Sequence, residues 1–165
     1  MSSLADLCPP SSILLDVPAR TVNDLFEHAA SFAEHHYALP ASLVLQKLLD
    51  REHLGTTALG RGVAIPHARI EGLDYPVMIY IRPTLPLDAD TPDGKGLSEF
   101  IFLLMPARAC QQHLQALADV ASALHLRDFR QALREARNQT AVHRVLATAP
   151  MHLSVQRRGL LENAS

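Results

Sequence analysis

A glycine-rich stretch that ends in a histidine is the part of the sequence best suited to chemistry. Residues 55–69 read Gly-Thr-Thr-Ala-Leu-Gly-Arg-Gly-Val-Ala-Ile-Pro-His-Ala-Arg. The apolar run at 63–65 is too short for a helix and fits a buried strand. Because Pro66 cannot donate to a sheet ladder, we expect the strand to end there, with His67 at its mouth. A histidine on the rim of a rigid element is well placed for chemistry.

The same stretch also fits a simpler interpretation. Glycines allow backbone angles that other residues resist and let a partner approach the chain closely, but they are equally common in surface turns. His67 could then be a solvated histidine in such a turn. These residues alone leave both interpretations open.

Apolar periodicity predicts the elements around this stretch. Residues 22–36 have helical spacing behind a cap at Thr21 or Asn23, and a second helix opens at Pro40. An edge strand is expected at 13–15, and the fully apolar runs at 77–81 and 100–105 are typical of central strands. The pattern after Pro106 is helical. Strands in the middle with helices before and after predict an α/β sandwich.

Size and composition limit the classes of protein to consider. The chain has 165 residues, 48% of them hydrophobic and 19% charged, which suits one domain with a full core and no metal or disulfide. A net charge of −2 gives no reason to expect nucleic acid as a partner. Cys8 and Cys110 have no metal or redox spacing. With neither a signal peptide nor a membrane-length apolar stretch, we expect a cytoplasmic protein without membrane insertion.

Two blocks of sequence carry a family resemblance. The first reads Arg-Glu-His-Leu-Gly-Thr-Thr at 51–57 and Gly-Arg-Gly-Val-Ala-Ile-Pro-His at 60–67; the second reads Phe-Ile-Phe-Leu-Leu-Met-Pro-Ala at 100–107, followed by His113-Leu114 and Leu117. Over roughly residues 10–149 the chain resembles the mannitol/fructose-type IIA domain (EIIA type 2) of the bacterial phosphoenolpyruvate:sugar phosphotransferase system. Within that family it is most similar to the nitrogen-regulatory IIA proteins. The resemblance implies a single-domain sandwich whose small mixed central β-sheet is flanked by helices, at 12–150, between a flexible N-terminus at 1–11 and a tail at 151–165.

The resemblance also implies roles for three residues. His67 would accept and donate a phosphoryl group, for which a neutral imidazole is a suitable nucleophile near pH 7. His113, in the first turn of the helix after Pro106, would orient His67 or bind phosphoryl oxygens; alternatively, it packs beside Leu114. Arg51 would clamp the phosphoryl oxygens, or offset the dipole at the end of its helix.

Phosphate contacts are implied for the loop that precedes His67. Thr56 and Thr57 would offer hydroxyls and Gly62 a backbone N–H, although all three could be ordinary turn residues. Arg61 stands where nitrogen-regulatory relatives often have Asn, so we expect it, with Arg69, to add positive potential near the phosphosite. A basic stripe further on is either a solvated helix face or a docking patch for an acidic partner; it consists of Arg127, Arg130, Arg134 and Arg137.

The function implied is that of a phosphoryl carrier without cofactor or metal. A histidine-containing phosphocarrier protein of the HPr or NPr type would phosphorylate His67, and the phosphorylation state would control regulatory target proteins. Two alternatives stay open. One is a sugar-transport IIA that passes the group to a separate IIB component, and the other is a non-catalytic binding module with the same fold.

Overall fold

A mixed β-sheet lies at the centre of the computed structural model, which describes residues 2–108 and 110–152. Its strands are β1 (Ile13–Val17), β2 (Ala58–Gly60), β3 (Val63–Ala64), β4 (His67–Ile70), β5 (Val77–Pro83) and β6 (Glu99–Pro106). The helices are α1 (Val22–Tyr37), α2 (Ala41–His53), α3 (Gln111–His125), α4 (Arg127–Glu135) and α5 (Gln139–Leu146).

The long strand β6 organises this sheet. The strand order is β1-β5-β6-β3-β2, and β4 pairs with β6 on the edge that β3 also uses. Strands β3 and β4 run parallel to β6, whereas β5 runs antiparallel to it. Strand β1 adds to the outer edge of β5 in parallel. The α/β class, the mixed sheet and the positions of the edge and central strands are therefore confirmed.

Side chains of β6 alternate between two cores. Phe100, Phe102 and Leu104 pack with α1 and α2, and the ring of Phe102 meets that of Phe26 edge-on at 5.3 Å. The intervening Ile101, Leu103 and Met105 pack on the other face with α3, α4 and α5. This alternation follows from the two-residue period of a strand. Because both faces are covered, the sheet is fully apolar in its middle.

Local sequence determines where the first two helices begin. The Thr21 hydroxyl accepts a hydrogen bond from the Asp24 N–H at 3.1 Å, and the Asp24 carboxylate accepts one from the Thr21 N–H, which makes a capping box. Helix α2 begins after Pro40, as predicted, and its last turn carries Arg51. That last turn lies against β4, so the helix end faces His67.

The prediction that the strand ends at Pro66 with His67 at its mouth is wrong in one respect. His67 is the first residue of a further strand, β4, which pairs with β6 through Leu103. Pro66 lacks a donor, but its carbonyl accepts a hydrogen bond from the Leu103 N–H at 2.9 Å. The chain therefore stays beside β6 across the proline, and pairing resumes at His67.

The N-terminal residues, expected to be loose, are packed against the sheet. Two short 3₁₀ turns, Leu4–Asp6 and Pro10–Ser12, precede β1. Leu4 and Cys8 are fully buried in the core beside α5, and the Leu4 N–H donates to the Ala149 carbonyl at 3.1 Å. Met151 is buried as well, so the packed part extends slightly past the predicted boundary at 150. The rest of the expected tail, 153–165, lies outside the described residues.

Candidate functional site

Arg51 and His67 form the core of the candidate site. The Arg51 Nε–H donates to Nε2 of His67 at 3.2 Å, and Arg51 Nη1 donates to the Gly55 carbonyl at 2.9 Å. On the other side of the ring, Nδ1 of His67 lies 2.9 Å from the Ile65 carbonyl. A carbonyl only accepts, so Nδ1 carries the hydrogen and the lone pair is on Nε2. The site therefore fixes one neutral tautomer of His67 and directs its nucleophilic nitrogen toward Arg51.

The surroundings of His67 keep its imidazole neutral. The side chain is half-buried, and this burial is the largest cause that lowers the pKa of His67 below its usual 6.5. The hydrogen bond to Ile65 and the carboxylate of Glu52 act in the opposite direction, whereas the positive charge of Arg51 lowers the pKa further. The net direction is downward, so the ring is an unprotonated nucleophile at neutral pH.

Glu52 connects helix α2 to the loop that leads to His67. Both the N–H and the hydroxyl of Thr57 donate to the Glu52 carboxylate, the hydroxyl at 2.6 Å to one of its oxygens. Thr57 is buried, so its two donors are used inside the protein rather than offered to an anion. Glu52 belongs to the motif at 51–57, but no role was predicted for it from the sequence. The sequence signal that could have indicated this contact is an acidic residue next to Arg51, five residues before a threonine.

The other residues predicted to bind phosphate do not gather at His67. Thr56 is exposed and its hydroxyl oxygen accepts from the Ala58 N–H at 3.1 Å, which leaves its hydroxyl hydrogen available. Gly62, with φ +81°, lies just before β3, whose first residue is level with Glu99, whereas His67 is level with Leu103. Four residues of strand separate these levels by about 13 Å. Gly62 therefore lies at the far end of β6 from His67.

Arg61 and Arg69 differ in their position relative to His67. Arg69 is exposed on β4, two residues after His67, and side chains two apart on a strand share a face. Arg61 lies in the turn next to Gly62, where its N–H donates to Asp93 at 2.7 Å. The expectation that both arginines flank the histidine is therefore met by Arg69 and not by Arg61.

His113 lies in the first turn of α3, as predicted, and is half-buried. Its Nδ1 is buried and has no hydrogen-bond partner within the described part of the chain. Among the described residues, no hydrogen bond joins His113 to His67 or Arg51. A buried polar atom without a partner is uncommon in folded proteins, so this nitrogen is a candidate for contact with a ligand or a moved side chain.

Residues 2–108 and 110–152 contain neither a metal-binding cluster nor a helix that could span a membrane. No three His, Cys, Asp or Glu side chains converge there as a metal site would require. None of the helices there has the length and apolarity needed to cross a bilayer.

Fold and site together define an α/β sandwich in which an arginine and a backbone carbonyl hold a neutral histidine at the edge of the sheet. Residues 6–149 match the family described as the phosphoenolpyruvate-dependent sugar phosphotransferase system, EIIA 2, and the chain belongs to that family. Its members act as phosphotransfer carriers, so this chain is a phosphoryl carrier or regulator related to that system.

Relatives within the family include regulatory and transport proteins. A nitrogen regulatory protein of Bradyrhizobium diazoefficiens is 34% identical over 147 residues, which covers 89% of this chain and 96% of that protein. A fructose-specific EIIA component from Haloferax volcanii is 29% identical, covering 89% and 96%. The crystal structure of the nitrogen regulatory protein IIA-Ntr from Neisseria meningitidis superposes with a TM-score of 0.81 at 34% identity, covering 87% of this chain and 98% of that one.

Proposed function

We propose that this protein is a cytoplasmic phosphoryl carrier that takes a phosphoryl group onto Nε2 of His67 from a histidine-containing phosphocarrier protein of the HPr or NPr type. One observation carries the proposal: Arg51 and the Ile65 carbonyl hold His67 as the tautomer whose lone pair is on Nε2. That nitrogen is the one that faces a guanidinium able to bind phosphoryl oxygens.

The transfer step follows from this geometry. The Nε2 lone pair forms a bond to phosphorus while the N–P bond of the donor's phosphohistidine breaks, and the donor imidazole takes the electron pair. If the donor ring carries a hydrogen on its other nitrogen, no proton has to move. The positive charge of the phosphorylated ring then passes to His67, where the Ile65 carbonyl stabilises it through Nδ1–H.

Arg51 changes partners during this step. In the free protein its Nε–H masks the lone pair of His67. The arriving phosphoryl group would draw the guanidinium from the ring nitrogen to its own equatorial oxygens, where charge develops in the transition state. Gly55, whose carbonyl holds Nη1, keeps the side chain within reach. The exposed hydroxyl of Thr56 and the unpartnered Nδ1 of His113 are further candidates for phosphoryl contact.

The phosphorylation state of His67 is also proposed to be the regulatory output. The support is similarity to nitrogen regulatory proteins, at 34% identity in two cases. A second candidate function is sugar transport, in which His67 would pass its phosphoryl group to a separate IIB component. The 29% identity to a fructose-specific EIIA component favours keeping this candidate.

The test is phosphorylation by purified general phosphotransfer proteins and phosphoenolpyruvate, measured by intact mass. The wild type should gain one phosphoryl group and His67→Ala none. The exposed histidine variant His35→Ala is the matched control and should be labelled like the wild type. Arg51→Gln should slow labelling by about 10²–10³-fold, the usual effect of removing a charge that stabilises a transition state, while Lys47→Gln, on the same helix, should not.

Two results would contradict the proposal or its details. Continued labelling of His67→Ala would show that another residue is the acceptor. An unchanged rate for Arg51→Gln would reduce Arg51 to a charge at a helix end. Incubating the phosphorylated protein with a sugar-specific IIB domain then separates the two candidate functions, since only a transport component should lose its label quickly.

A further inference from the structure

A second cationic region lies away from His67, between the turn at 60–62, the loop at 86–98 and helix α4. It is a cavity of about 960 Å³ that opens to solvent. Half of its ten lining residues are basic and none is Asp or Glu. The basic side chains are Arg61, Lys95, Arg127, Arg130 and Arg134. Three of them belong to the basic stripe that the proposed function does not use.

Few carboxylates lie among the charges of this cavity, which we call the basic cavity; Asp93, beside it, accepts from the backbone N–H groups of Arg61 and Lys95. Among the described residues, the single ion pair of its five cations joins Arg134 Nε to Oε1 of Glu99, at 3.6 Å. Oε1 has no hydrogen-bond partner. Burial raises the pKa of Glu99 above its usual value, while Tyr80, Arg82 and Arg134 act in the opposite direction. The basic cavity therefore holds a positive potential that a bound anion would relieve.

One of the cations is held in place before any ligand arrives. Arg130 is buried, and its Nη1 donates to the carbonyls of Leu124 and His125 at 2.7 and 2.8 Å, which fixes the guanidinium against the end of α3. The pKa of Arg130 is lowered by burial and then by the neighbouring charges of Arg61, Arg134 and Arg127. Like charges crowded in this way attract a multivalent counter-ion.

Arg61 adopts a backbone conformation that L-residues seldom use. Its φ is +57°, in the left-handed region. Asp93 accepts from its N–H at 2.7 Å, and the Arg134 guanidinium donates to its carbonyl, so both ends of the residue are tied down. Strained residues of this kind cluster at binding sites. Here the strain places an arginine on the wall of the basic cavity, next to Gly62.

We propose that the basic cavity binds a small polyanion of the polyphosphate class, either a free di- or triphosphate or the same group on a nucleotide. Guanidinium groups bind phosphate oxygens with two parallel hydrogen bonds. Five separated cations need several linked negative groups to engage them, which a single phosphate does not supply. The volume lies within the usual range of small-molecule sites, roughly 300–1,000 Å³.

The experiment is calorimetric titration of the full-length protein with tripolyphosphate, with ATP in the absence of divalent metal, and with adenosine. Tripolyphosphate should bind one to one with a Kd below about 1 mM. Equal affinity for ATP indicates that the site reads phosphates alone, tighter ATP binding indicates a nucleotide site, and adenosine should not bind. Arg127→Gln and Arg61→Gln should each weaken binding about tenfold, as expected for one lost charge-assisted contact.

Matched variants locate the binding. Arg137→Gln removes an exposed charge of the same stripe that does not line the basic cavity, and its affinity should equal that of the wild type. Arg51→Gln should also bind normally, because the His67 site is level with Leu103, about 13 Å along β6 from the Glu99 end. Amide NMR signals of Gly62, Gly96 and Ser98, which line the basic cavity, should shift on titration.

Three outcomes would overturn this proposal. No saturable binding of either polyanion up to about 10 mM would mean that the cluster is solvated or meets an acidic protein instead. An equal loss of affinity in Arg137→Gln would indicate nonspecific charge attraction. Loss of binding in Arg51→Gln alone would assign the anion to the His67 site. None of these outcomes bears on phosphorylation of His67, so the two proposals fail independently.

Discussion

At the scale of single residues, the chemistry of the site depends on which nitrogen of His67 carries the hydrogen. The Ile65 carbonyl takes the Nδ1 hydrogen and Arg51 covers Nε2, so the two contacts select one tautomer. Burial adds to this by disfavouring the charged ring. In this arrangement the lone pair of the neutral ring is on Nε2, and the pKa of His67 lies below its usual value.

The lowered pKa of His67 predicts how the protein responds to acid. Because the folded-state pKa lies below 6.5, the folded protein binds fewer protons at this site than the unfolded chain in the window between that pKa and 6.5. The stability contributed by the neutral ring is present above pH 6.5 and is lost as pH falls through the window. NMR titration of the imidazole should give a midpoint below 6.5.

Arg51→Gln provides the control for this titration. Removing the guanidinium deletes one cause of the downward shift, so the midpoint should rise in the variant while burial keeps it from rising fully. A titration midpoint at or above 6.5 for His67 in the wild type would contradict the proposal that the protein holds this residue as a neutral nucleophile.

At the scale of elements, the junction between α2 and β3 positions the site. Helix α2 supplies Arg51 and Glu52 from its last turn. The Glu52 carboxylate accepts from both donors of Thr57, which fixes the start of the loop, and the Ile65 N–H donates to the Thr57 carbonyl at 3.1 Å. These contacts connect the helix end to the residue whose carbonyl holds His67.

Substitution of Thr57 tests this connection. Thr57→Val keeps the shape but removes the hydroxyl, so the free energy of unfolding should fall by about 1.5–3 kcal/mol, the range for a hydrogen bond to a charged group. Transfer to His67 should slow as well, because Arg51 and the loop lose their common support. Chemical denaturation and the labelling assay measure the two effects. Thr57→Ser, which retains the hydroxyl, should restore most of both.

If Thr57→Ser, which keeps the hydroxyl, is as impaired as Thr57→Val, the hydroxyl contact with Glu52 does not by itself position the loop. A stable Thr57→Val protein with normal transfer would lead to the same conclusion. Direct binding of the phosphoryl group by the Thr57 hydroxyl predicts a different pattern, a slow Thr57→Val protein with unchanged stability.

The long elements could be predicted from the sequence because their signals are local. The Thr21 cap, Pro40 and the apolar run of β6 each mark one element without help from the rest of the chain. The short strands could not be predicted in this way. Strand β3 has two residues, too few to show a pattern. Strand β4 depends on long-range pairing, in which the Pro66 carbonyl accepts a hydrogen bond from the N–H of Leu103, 37 residues later in the chain.

The candidate site was only partly predictable for the same reason. Arg51, His67 and His113 were found by resemblance to a motif, which carries positions but not contacts. The commitment of Thr57 to Glu52 and the distance of Gly62 from His67 depend on strand register, which long-range pairing sets. Arg61 and His67 are close in sequence and were expected to be close in space, but about 13 Å of strand along β6 separates their levels.

At the scale of the whole molecule, β6 separates two cationic regions. The basic cavity lies at the Glu99 end of the strand, and the His67 site lies at the level of Leu103. Phosphorylation adds roughly −1.5 to −2 charges at His67. Its effect on a docked partner falls with distance, over a Debye length of about 8 Å at physiological salt. Arg69 lies within this range of the histidine, whereas Arg61 lies beyond it.

This separation predicts a difference between two single-charge variants. Arg69→Asn should weaken binding of the phosphocarrier protein to the unphosphorylated chain, and Arg61→Asn should leave it unchanged, since the carrier must approach His67 to transfer its group. His67→Glu, which imitates the added charge, should weaken binding in both backgrounds. Surface plasmon resonance at low and moderate salt measures these affinities, and the effect of Arg69→Asn should shrink at the higher salt. Equal weakening by both arginine variants would mean that the two regions act as one docking surface. If the effect of Arg69→Asn does not depend on salt, Arg69 acts through direct packing rather than through its charge.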